Sequence, residues 1–458
     1  MRIIIVGGGV VGYSLAEHLV KEKHHLALIE IDSTLCQNIS EKLDVQIING
    51  SGSSPAALLE AGLADADMIL AVTPNDEVNM IVCAVAAQYG VESRIARLRS
   101  REFTEDNQVI KLDTIGVTSV IHPEDVLVDH ILQFVETPHA IESANFEGGR
   151  ILMRGYRVSD GMEMANRTPR EIRRDIAPDV VLFPAIVRAG RGMIPDGDTL
   201  IAPGDIVYSL FPRQSLDRFL KMVGIERKRR RKIIITGDSY ATVQLGLALD
   251  KTDSQVVFVD PDIKHAEKTA PLFSNIDVIH GDCTQHDLLR ELNVDAASFL
   301  IATSDAADYN MLSALLAKTE GVHEVIVTTT EWRHDKLFHS IGVDHVLNPR
   351  LTTAREILEI ISRGQIGAVV RLSDVDIEAV RFVVPKECDI VGRPIKRLAK
   401  KLKKESIVGV IVRENRMIIP GGDTTIEADD HVLMITRHKH LPAVSKLFQP
   451  RRSYGKRK

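Results

Sequence analysis

Three glycines near the start of the chain have the spacing of a loop that binds phosphate. Gly7, Gly9 and Gly12 fit the pattern G-x-G-x-x-G. In such a loop the first glycine permits a tight turn, the second lets a pyrophosphate approach the backbone, and the third lets a helix pack closely on a strand. Glu30 ends the next apolar segment, where its carboxylate could accept hydrogen bonds from both hydroxyls of a ribose. These residues favour a dinucleotide site, and the alternative is a glycine-rich turn in a domain that binds no nucleotide.

The elements around the loop are those that a dinucleotide site requires. Residues 1–6 are apolar and rich in β-branched side chains, which is typical of a strand buried on both faces of a parallel sheet. From Tyr13 onward, apolar residues recur at the spacing of a helix. A helix that starts directly after the loop presents free backbone N–H groups and a partial positive charge to phosphates.

Two arginines are candidates for contact with the terminal phosphates of a nucleotide. Arg97 and Arg99 lie in a predicted strand at 94–99, where alternation points both side chains to one face. A guanidinium group suits phosphate because its rigid fork donates two hydrogen bonds at once. The alternative is that the arginines form ion pairs at the surface.

Thr73 is a further candidate because it follows the fourth predicted strand, at 68–72. The carboxyl ends of parallel strands line the crevice in which nucleotides bind. Thr73 also has the position of a helix N-cap, with Pro74 next and Asp76 at the third helical position. The two roles are compatible. Gly50 and Ser51, which follow the third predicted strand at 45–48, complete the candidate contacts of this first region.

Predicted strands and helices alternate through the first part of the chain, which indicates a parallel, doubly wound sheet. The predicted strands are 1–6, 26–29, 45–48, 68–72, 94–99 and 119–121, and the predicted helices include 35–43, 56–61 and 78–88. A helix at 126–136 then crosses to the next domain.

The sequence contains two copies of this arrangement. Segment 233–237 is similar to segment 3–7, and Asp260 and Asn310 correspond to Glu30 and Asn79, each about 230 residues further along the chain. The turn at 195–199 returns at 420–424. Because the offset is nearly constant over both parts, the chain is a tandem duplication of a unit with two domains.

The second domain of each unit is built differently from the first. In the first copy, short predicted strands at 180–188, 193–194 and 206–210 are separated by turn residues, and a helix follows at 214–223. This pattern predicts a small α+β domain, in which we find no cluster of residues that suggests catalysis. The basic segment 226–232 between the units is interpreted as a solvated linker.

The predicted fold is therefore α/β, with two tandem Rossmann-like parallel-sheet domains that are each followed by a small α+β domain. The expected limits are 1–123 and 140–225 for the first unit, and 232–349 and 368–453 for the second.

The second copy has lost its phosphate-loop glycines. Ser239 and Thr242 stand where the first copy has Gly9 and Gly12, and a Cβ at either position crowds the pyrophosphate or the helix. Asp238 also places a carboxylate where phosphates would lie. Nucleotide binding by this copy stays open beside the alternative that the domain is retained for its fold. Its candidate contacts are Gly237, Asp238, Ser239, Asp260, Asp282 and Thr303.

Composition excludes several classes of protein. A formal net charge of −6 argues against broad nucleic-acid binding. No run of about 18 apolar residues is present, so no transmembrane helix is expected, and the chain enters a strand at once, without a signal peptide. The four cysteines have neither disulfide-type nor metal-type spacing. The paired histidines at 24–25 and at 438 and 440 lack further metal ligands, and we interpret them as solvated side chains. We expect a cytosolic protein without a metal site.

The duplicated plan resembles the family of cytosolic regulatory subunits of bacterial Trk potassium transporters. Its repeating unit is similar to the regulator-of-potassium-conductance (RCK) module, which has a Rossmann-like N-lobe and a smaller C-lobe. The resemblance covers nearly the whole chain. It is carried by segments 3–12, 71–73 and 95–99, by Glu30 and Asn79, and by the turns at 195–199 and 420–424.

The resemblance implies NAD(H) and adenine nucleotides such as ATP or ADP as ligands. It implies a homo-oligomer, a dimer or a tetramer, that docks on a potassium-conducting membrane subunit at the cytoplasmic face of the inner membrane. By position it implies a phosphate loop, a ribose-binding acid and further nucleotide contacts. These residues are Gly7, Gly8, Gly9, Val10 and Val11 for the loop, Glu30 for the acid, and Thr73, Pro74 and Arg97 for the further contacts.

Two classes of function remain. The favoured one is a nucleotide-controlled regulatory subunit, and the alternative is an NAD-dependent oxidoreductase on the same fold, since a fold alone does not determine function. The sequence after Pro123 offers no convincing proton donor or substrate-anchoring cluster. We therefore expect regulation rather than catalysis.

Overall fold

The structure is a computed structural model. It describes residues 1–449 except 23, 104–110, 176–180, 226–229, 331–337, 339, 363–368, 373–374, 400–404 and 415. Most of the predicted linker at 226–232 and the end of the predicted domain at 368–453 lie outside the described residues. By its contacts the chain forms two compact units, Met1–Ile131 with Arg230–Leu358 and Leu132–Arg229 with Glu359–Lys458.

The first N-lobe is a six-stranded parallel sheet with strand order β3-β2-β1-β4-β5-β6. Its strands are β1 Arg2–Val6, β2 His25–Glu30, β3 Gln46–Asn49, β4 Met68–Ala71, β5 Ser93–Arg97 and β6 Ser119–Ile121. Its helices are α1 Val10–Lys21, α2 Ser33–Ser40, α3 Pro55–Glu60, α4 Asp76–Gln88, α5 Leu112–Ile115 and α6 Pro123–Glu136. The apolar central strands are buried on both faces. The strand order reverses between β1 and β4, which opens a crevice at their carboxyl ends.

The first C-lobe is an antiparallel sheet of five strands in the order β10-β9-β11-β8-β7. The strands are β7 Glu142–Phe146, β8 Ile151–Arg157, β9 Leu182–Arg188, β10 Arg191–Met193 and β11 Ile206–Pro212, and the helices are α7 Pro169–Asp175 and α8 Leu216–Met222. Ala189 and Gly190, with φ values of +48° and +74°, form the tight turn between β9 and β10.

The second N-lobe repeats the strand order of the first, as β14-β13-β12-β15-β16-β17. Its strands are β12 Lys232–Thr236, β13 Gln255–Asp260, β14 Ile276–His280, β15 Phe299–Ala302, β16 Glu324–Thr328 and β17 His345–Leu347. Its described helices are α9 Tyr240–Leu249, α10 Ile263–Thr269, α11 His286–Glu291, α12 Ala307–Thr319 and α13 Pro349–Ser362.

The second C-lobe has the sheet order β18-β19-β22-β20-β21. Its strands are β18 Val369–Arg371, β19 Ile377–Val383, β20 Ser406–Arg413, β21 Arg416–Ile418 and β22 His431–Arg437, and its helices are α14 Ile395–Ala399 and α15 Leu441–Leu447. The predicted fold class, tandem parallel-sheet domains each followed by a small α+β domain, is confirmed.

Some predicted element limits differ from the structure. The predicted helix at 126–136 begins three residues earlier, at Pro123, because proline suits the first helical position and Glu124 and Asp125 then face the positive helix end. The short strand predicted at 193–194 begins two residues earlier, as β10 Arg191–Met193, because the turn before it is made by residues 189–190. Strands β7 and β8 were not predicted from the sequence.

The two C-lobe sheets share an apolar core and a buried ion cluster. Residues from both sheets, among them Ala185, Tyr208, Ala379 and Ile435, form one buried cluster. At its edge the side chain of Glu147, which is 6% exposed, accepts hydrogen bonds from Arg381 at 3.0 Å and from His431 at 2.9 Å. This carboxylate therefore joins the two C-lobes.

Replacing Glu147 by glutamine is expected to lower the free energy of unfolding by about 1–3 kcal/mol at pH 7. Burial by itself would raise the pKa of Glu147. The hydrogen bonds and charges of His431 and Arg381 outweigh the effect of burial, so the pKa is lowered below its ordinary value. The stabilisation is thus present above the ordinary pKa of 4.5 and is lost as the pH falls through the lowered value. Urea unfolding at pH 7, 5 and 4 measures this. Asp198→Asn, in an exposed pair with Arg170, is the control and should change little. If Glu147→Gln lowered the free energy of unfolding equally at every pH, the ionised carboxylate would not be the source of the stabilisation.

Candidate functional site

The glycine loop of the first copy joins β1 to α1 at the crevice. Gly7 has a φ of +105°, and a Cβ on it would lie 3.1 Å from the backbone nitrogen of Thr73. A Cβ on Gly12 would lie 1.8 Å from the carbonyl oxygen of Gly7. The fold itself therefore requires glycine at both positions, for the turn and for close packing of α1 on the strand.

Gly9 is not required by the fold. Its φ is −61°, which any residue adopts. A Cβ on Gly9 would meet no heavy atom of the described residues within 4 Å. Gly9 is also the N-cap of α1, and having no side chain it leaves the N–H groups of the first turn to other acceptors. A phosphate group fits this open surface, because the helix end supplies donors and a partial positive charge.

Glu30 lies beneath the loop at the end of β2. Its carboxylate accepts the backbone N–H of Gly8 at 2.5 Å and that of Asp32 at 2.9 Å, and the residue is 9% exposed. The Gly50 backbone N–H donates to the Glu30 carbonyl oxygen at 2.9 Å. Ser51 is exposed, and its hydroxyl lies 3.0 Å from that of Ser53. The structure thus brings Glu30 and Gly50 to the loop, as a ribose-binding acid would require.

Thr73 follows β4 at the same edge and is held by Asn79. The N-cap of α4 is Asn75, whose side chain accepts a backbone N–H of the first turn at 2.8 Å. The prediction that Thr73 caps this helix, with Pro74 next and Asp76 at the third helical position, is therefore wrong. Pro74 precedes the cap, and Asp76 is the first helical residue, so it still lies in the first turn. The reason is local, because the Thr73 hydroxyl donates to the amide oxygen of Asn79 at 2.7 Å instead.

Arg97 and Arg99 do not share a strand. β5 ends at Arg97, because the carboxylate of Asp76 accepts the backbone N–H of Arg99 at 2.9 Å and 3.0 Å. The prediction that the strand extends to Arg99 is therefore wrong, although both side chains line the same cavity. Nε of Arg99 donates to Glu124 at 3.0 Å, which is the ion pair that the sequence left open as an alternative.

Arg97 differs from Arg99 in its contacts. Its Nε is buried and has no hydrogen-bond partner among the described residues. Burial, followed by the neighbouring charge of Arg99, lowers the pKa of Arg97 from its ordinary value. A partly desolvated guanidinium group whose Nε lacks a hydrogen-bond partner is suited to binding an anion.

Both arginines line a cavity of about 360 Å³ between the two N-lobes, within one compact unit. Arg350 lines it as well, and so do the first residues of four helices: Pro123, Tyr240, Ala307 and Pro349. Three guanidinium groups and four helix N-termini outweigh the two lining carboxylates, Glu124 and Asp305. The cavity is therefore suited to an anion.

The loop of the second copy is filled by its own side chains. The Ser239 hydroxyl donates to the Thr303 carbonyl oxygen at 2.6 Å and accepts the backbone N–H of Thr242 at 3.2 Å. The hydroxyls of Thr242 and Thr303 lie 2.9 Å apart, and Asp238 accepts from Ser304 at 2.9 Å. Gly237 keeps a positive φ, +135°. The N-terminus of α9 is thus capped internally, where α1 is not.

The acids of the second copy are also engaged. Asp260 is buried, accepts the backbone N–H of Asp262 at 3.0 Å and forms an ion pair with His265. Asp282 accepts both the backbone N–H and the hydroxyl of Thr284, at 2.8 Å and 2.7 Å. These contacts favour a structural role, and a nucleotide on this copy stays a prediction.

Sequence reasoning missed the roles of four residues in this region. Asn79 and Asn310 were noticed as a repeat, but their hydrogen-bonding role was not predicted, although an asparagine kept in a buried helix of both copies is a usable signal. Glu124 and Arg350 were not proposed, because their place at the cavity depends on how the two N-lobes pack.

The two noted histidines near the end of the chain pair with carboxylates. His438 contacts Glu378 at 2.9 Å, and His440 contacts Glu405 at 2.8 Å. The His440 side chain is only 13% exposed, so its interpretation as a solvated residue is wrong. Within the described part of the chain, no group of three or more His, Cys, Asp or Glu residues has the geometry of a metal site.

Family comparison agrees with this architecture. The TrkA-N domain matches residues 3–123 and again 233–349, and the TrkA-C domain matches residues 379–449. These matches cover more than half of the chain. The chain belongs to the family of Trk potassium uptake proteins TrkA. The resemblance drawn from the repeated motifs is thereby confirmed.

Relatives in this family match over nearly their full length. A Trk system potassium uptake protein TrkA homolog of Archaeoglobus fulgidus is 30% identical over 98% of this chain and 100% of its own. The TrkA protein of Vibrio alginolyticus is 30% identical over 98% of this chain and 99% of its own length. The TrkA protein of Azorhizobium caulinodans is 28% identical over 98% of this chain and 99% of its own length.

Solved structures show the same fold at low identity. The GsuK RCK domain superposes with a TM-score of 0.59 at 16% identity, over 98% of this chain and 94% of that one. The GsuK channel bound to NAD gives 0.59 at 16% identity, over 98% and 78%. Among the described residues of this TrkA-family chain, no helix combines the length and the apolar character needed to cross a membrane.

Proposed function

We propose that this chain is a nucleotide-binding regulatory subunit that controls a potassium-conducting membrane partner in response to NAD(H), ATP or ADP. The observation that carries the proposal is the open surface beside Gly9, at a helix N-terminus with the Glu30 carboxylate below the loop. NAD(H) is assigned to this first loop. Support comes from the TrkA family and from the GsuK channel, a protein of the same fold that was solved bound to NAD.

The phosphates of an adenine nucleotide are assigned to the cavity between the N-lobes. Arg97 and Arg350 supply the positive charge there, beside the N-terminus of α9. A ligand changes a protein's shape only through different affinities for its two shapes. Anions that draw the two N-lobes together would provide such a difference. The chain is expected to act as a homo-oligomer, a dimer or a tetramer, at the cytoplasmic face of the membrane, with a symmetry that matches its partner.

The test is potassium flux through the partner of a Trk-type system in vesicles, with this chain added together with NADH, ATP, ADP or no nucleotide. We expect flux to depend on both the chain and the nucleotide. Flux that is the same with and without the chain, at every nucleotide, would reject the proposal.

An NAD-dependent oxidoreductase is the alternative, and the site argues against it. The side chains at the crevice edge, those of Thr73 and Asn79, are occupied by hydrogen bonds with each other. We expect no turnover of a small substrate when NADH is bound. NADH absorbance followed in the presence of pools of carbonyl compounds measures this. Substrate-dependent oxidation that Gly9→Asp removes would establish an enzyme.

NADH is expected to bind more tightly than NADPH, by about 10-fold or more. The buried Glu30 carboxylate lies beneath the loop, where its charge repels a 2′-phosphate. Calorimetry with both nucleotides measures the ratio, and Glu30→Gln, which removes the charge, should narrow it. Asp32→Asn, a nearby carboxylate that caps α2, is the control. Equal affinities in the unaltered protein would overturn the assignment of Glu30.

A further inference from the structure

We infer that Asn79 couples occupancy of the first glycine loop to the anion cavity between the N-lobes. The inference rests on the proposed function, because it takes the loop and the cavity as two ligand sites. Its content is new, in that it names the side chain through which each site changes the affinity of the other.

Asn79 is fully buried in α4 and uses both ends of its amide. Its oxygen accepts the backbone N–H of Thr73 at 3.0 Å and the Thr73 hydroxyl at 2.7 Å. Its Nδ2 donates to the carbonyl oxygen of Thr73 at 2.9 Å and to that of Arg97 at 2.7 Å. One side chain therefore ties the end of β4 to the end of β5.

Each end of this tie reaches a different site. On one side, Thr73 packs against the turn of the glycine loop, where a Cβ on Gly7 would lie 3.1 Å from the Thr73 nitrogen. On the other side, Arg97 lines the anion cavity, with its Nε lacking a partner among the described residues. A shift of the loop on ligand binding thus moves Thr73, then Asn79, and then the backbone that carries the Arg97 guanidinium.

The second copy contains a matched control. Asn310 is also buried, accepts the backbone N–H of Ser304 at 3.0 Å, and donates to the carbonyl oxygens of Ser304 at 2.7 Å and Thr328 at 2.9 Å. Ser304 and Thr328 both line the same cavity. Asn310 therefore makes similar contacts but does not join the cavity to the first loop.

The experiment titrates the full chain with tripolyphosphate, which probes the cavity, by calorimetry with and without saturating NADH. In the unaltered protein we expect NADH to change the tripolyphosphate affinity by about 5-fold or more, with a plateau as NADH rises. By reciprocity tripolyphosphate changes the NADH affinity by the same factor. In Asn79→Ala we expect NADH to change the tripolyphosphate affinity by less than about 2-fold, while each ligand still binds in the absence of the other. In Asn310→Ala we expect NADH to change the tripolyphosphate affinity as it does in the unaltered protein.

Three results would overturn the inference: no coupling in the unaltered protein, coupling retained in Asn79→Ala, or coupling lost equally in Asn310→Ala. Competition for one site, seen as an affinity that falls without a plateau, would also overturn it. Failure of NADH to bind at all would instead reject the proposed function. Because Asn79→Ala removes buried hydrogen bonds, Asn79→Asp serves as a second variant. It keeps the shape and the acceptor for the Thr73 N–H and hydroxyl, but it removes the Nδ2 donor to the carbonyl oxygens of Thr73 and Arg97, so it too should lose coupling.

Discussion

Gly9→Asp is expected to weaken NADH binding by about 100-fold, a loss of about 2.7 kcal/mol, without lowering the thermal stability of the protein. The new side chain has room, because a Cβ at Gly9 meets no heavy atom of the described residues within 4 Å. Its backbone is compatible with any residue, and aspartate is a favoured N-cap. The carboxylate would then occupy the helix end that phosphates need and would repel them.

Two further variants separate an effect on NADH binding from an effect on folding. Gly12→Ala should destabilise the protein strongly, because its Cβ would lie 1.8 Å from the Gly7 carbonyl oxygen. The second copy already carries an internal cap at Ser239, so Ser239→Asp should leave NADH binding to the first loop unchanged. Calorimetry and thermal unfolding on the three variants measure both quantities. Unchanged NADH affinity in folded Gly9→Asp would mean that the ligand binds elsewhere.

The glycine loop was predictable because its signal is local. A strand, a tight turn and a helix follow one another within 21 residues, and the close contact that requires glycine at position 12 is with Gly7 of the same loop. Glu30 was predictable for the same reason, since it ends the very next strand. The duplication extended the strand, the helix and the acid to the second N-lobe, where Asp260 replaces Glu30, but two of the three loop glycines are lost there. Local patterns of this kind identify elements reliably because the strand and helix periods differ.

The remaining features depend on which of several available partners a side chain bonds in the folded protein. Thr73 has the sequence of an N-cap, yet its hydroxyl bonds Asn79, and the cap passes to Asn75. The end of β5 is set by Asp76, whose carboxylate accepts the backbone N–H of Arg99 from another element. Local propensity proposes such roles, and tertiary contacts decide among them. The domain limits proposed from the sequence remain predictions.

The cavity could not be predicted at all from one N-lobe. Arg97 comes from the first copy, whereas Ser239, Tyr240 and Ala241 come from the second, and only the packing of the two N-lobes brings them together. Taken alone, each copy's sequence is explained without a ligand: Arg97 could form an ion pair, and residues 239–241 could cap a helix. What makes the region a candidate site is the excess of positive charge around a space large enough for a ligand.

Arg97→Ala is expected to raise the ATP concentration needed for half-maximal potassium flux by about 10-fold or more, while the NADH affinity of the first loop changes by less than about 2-fold. Burial and the charge of Arg99 lower the pKa of Arg97, so an anion that bonds its guanidinium relieves an unfavourable charge. NADH in the first loop relies on the helix end and on Glu30 instead.

Arg99→Ala is the matched control, because the Arg99 side chain is 55% exposed and its Nε is already paired with Glu124 at 3.0 Å. An exposed, paired guanidinium has less to gain from a phosphate, so this variant should shift the ATP response by no more than about 3-fold. Flux measured with each nucleotide, beside calorimetry with NADH, separates the two arginines. If the responses to ATP and NADH fall together in Arg97→Ala, or if neither falls, Arg97 does not sense phosphate, and the charge excess of the cavity must act through Arg350 or the helix ends.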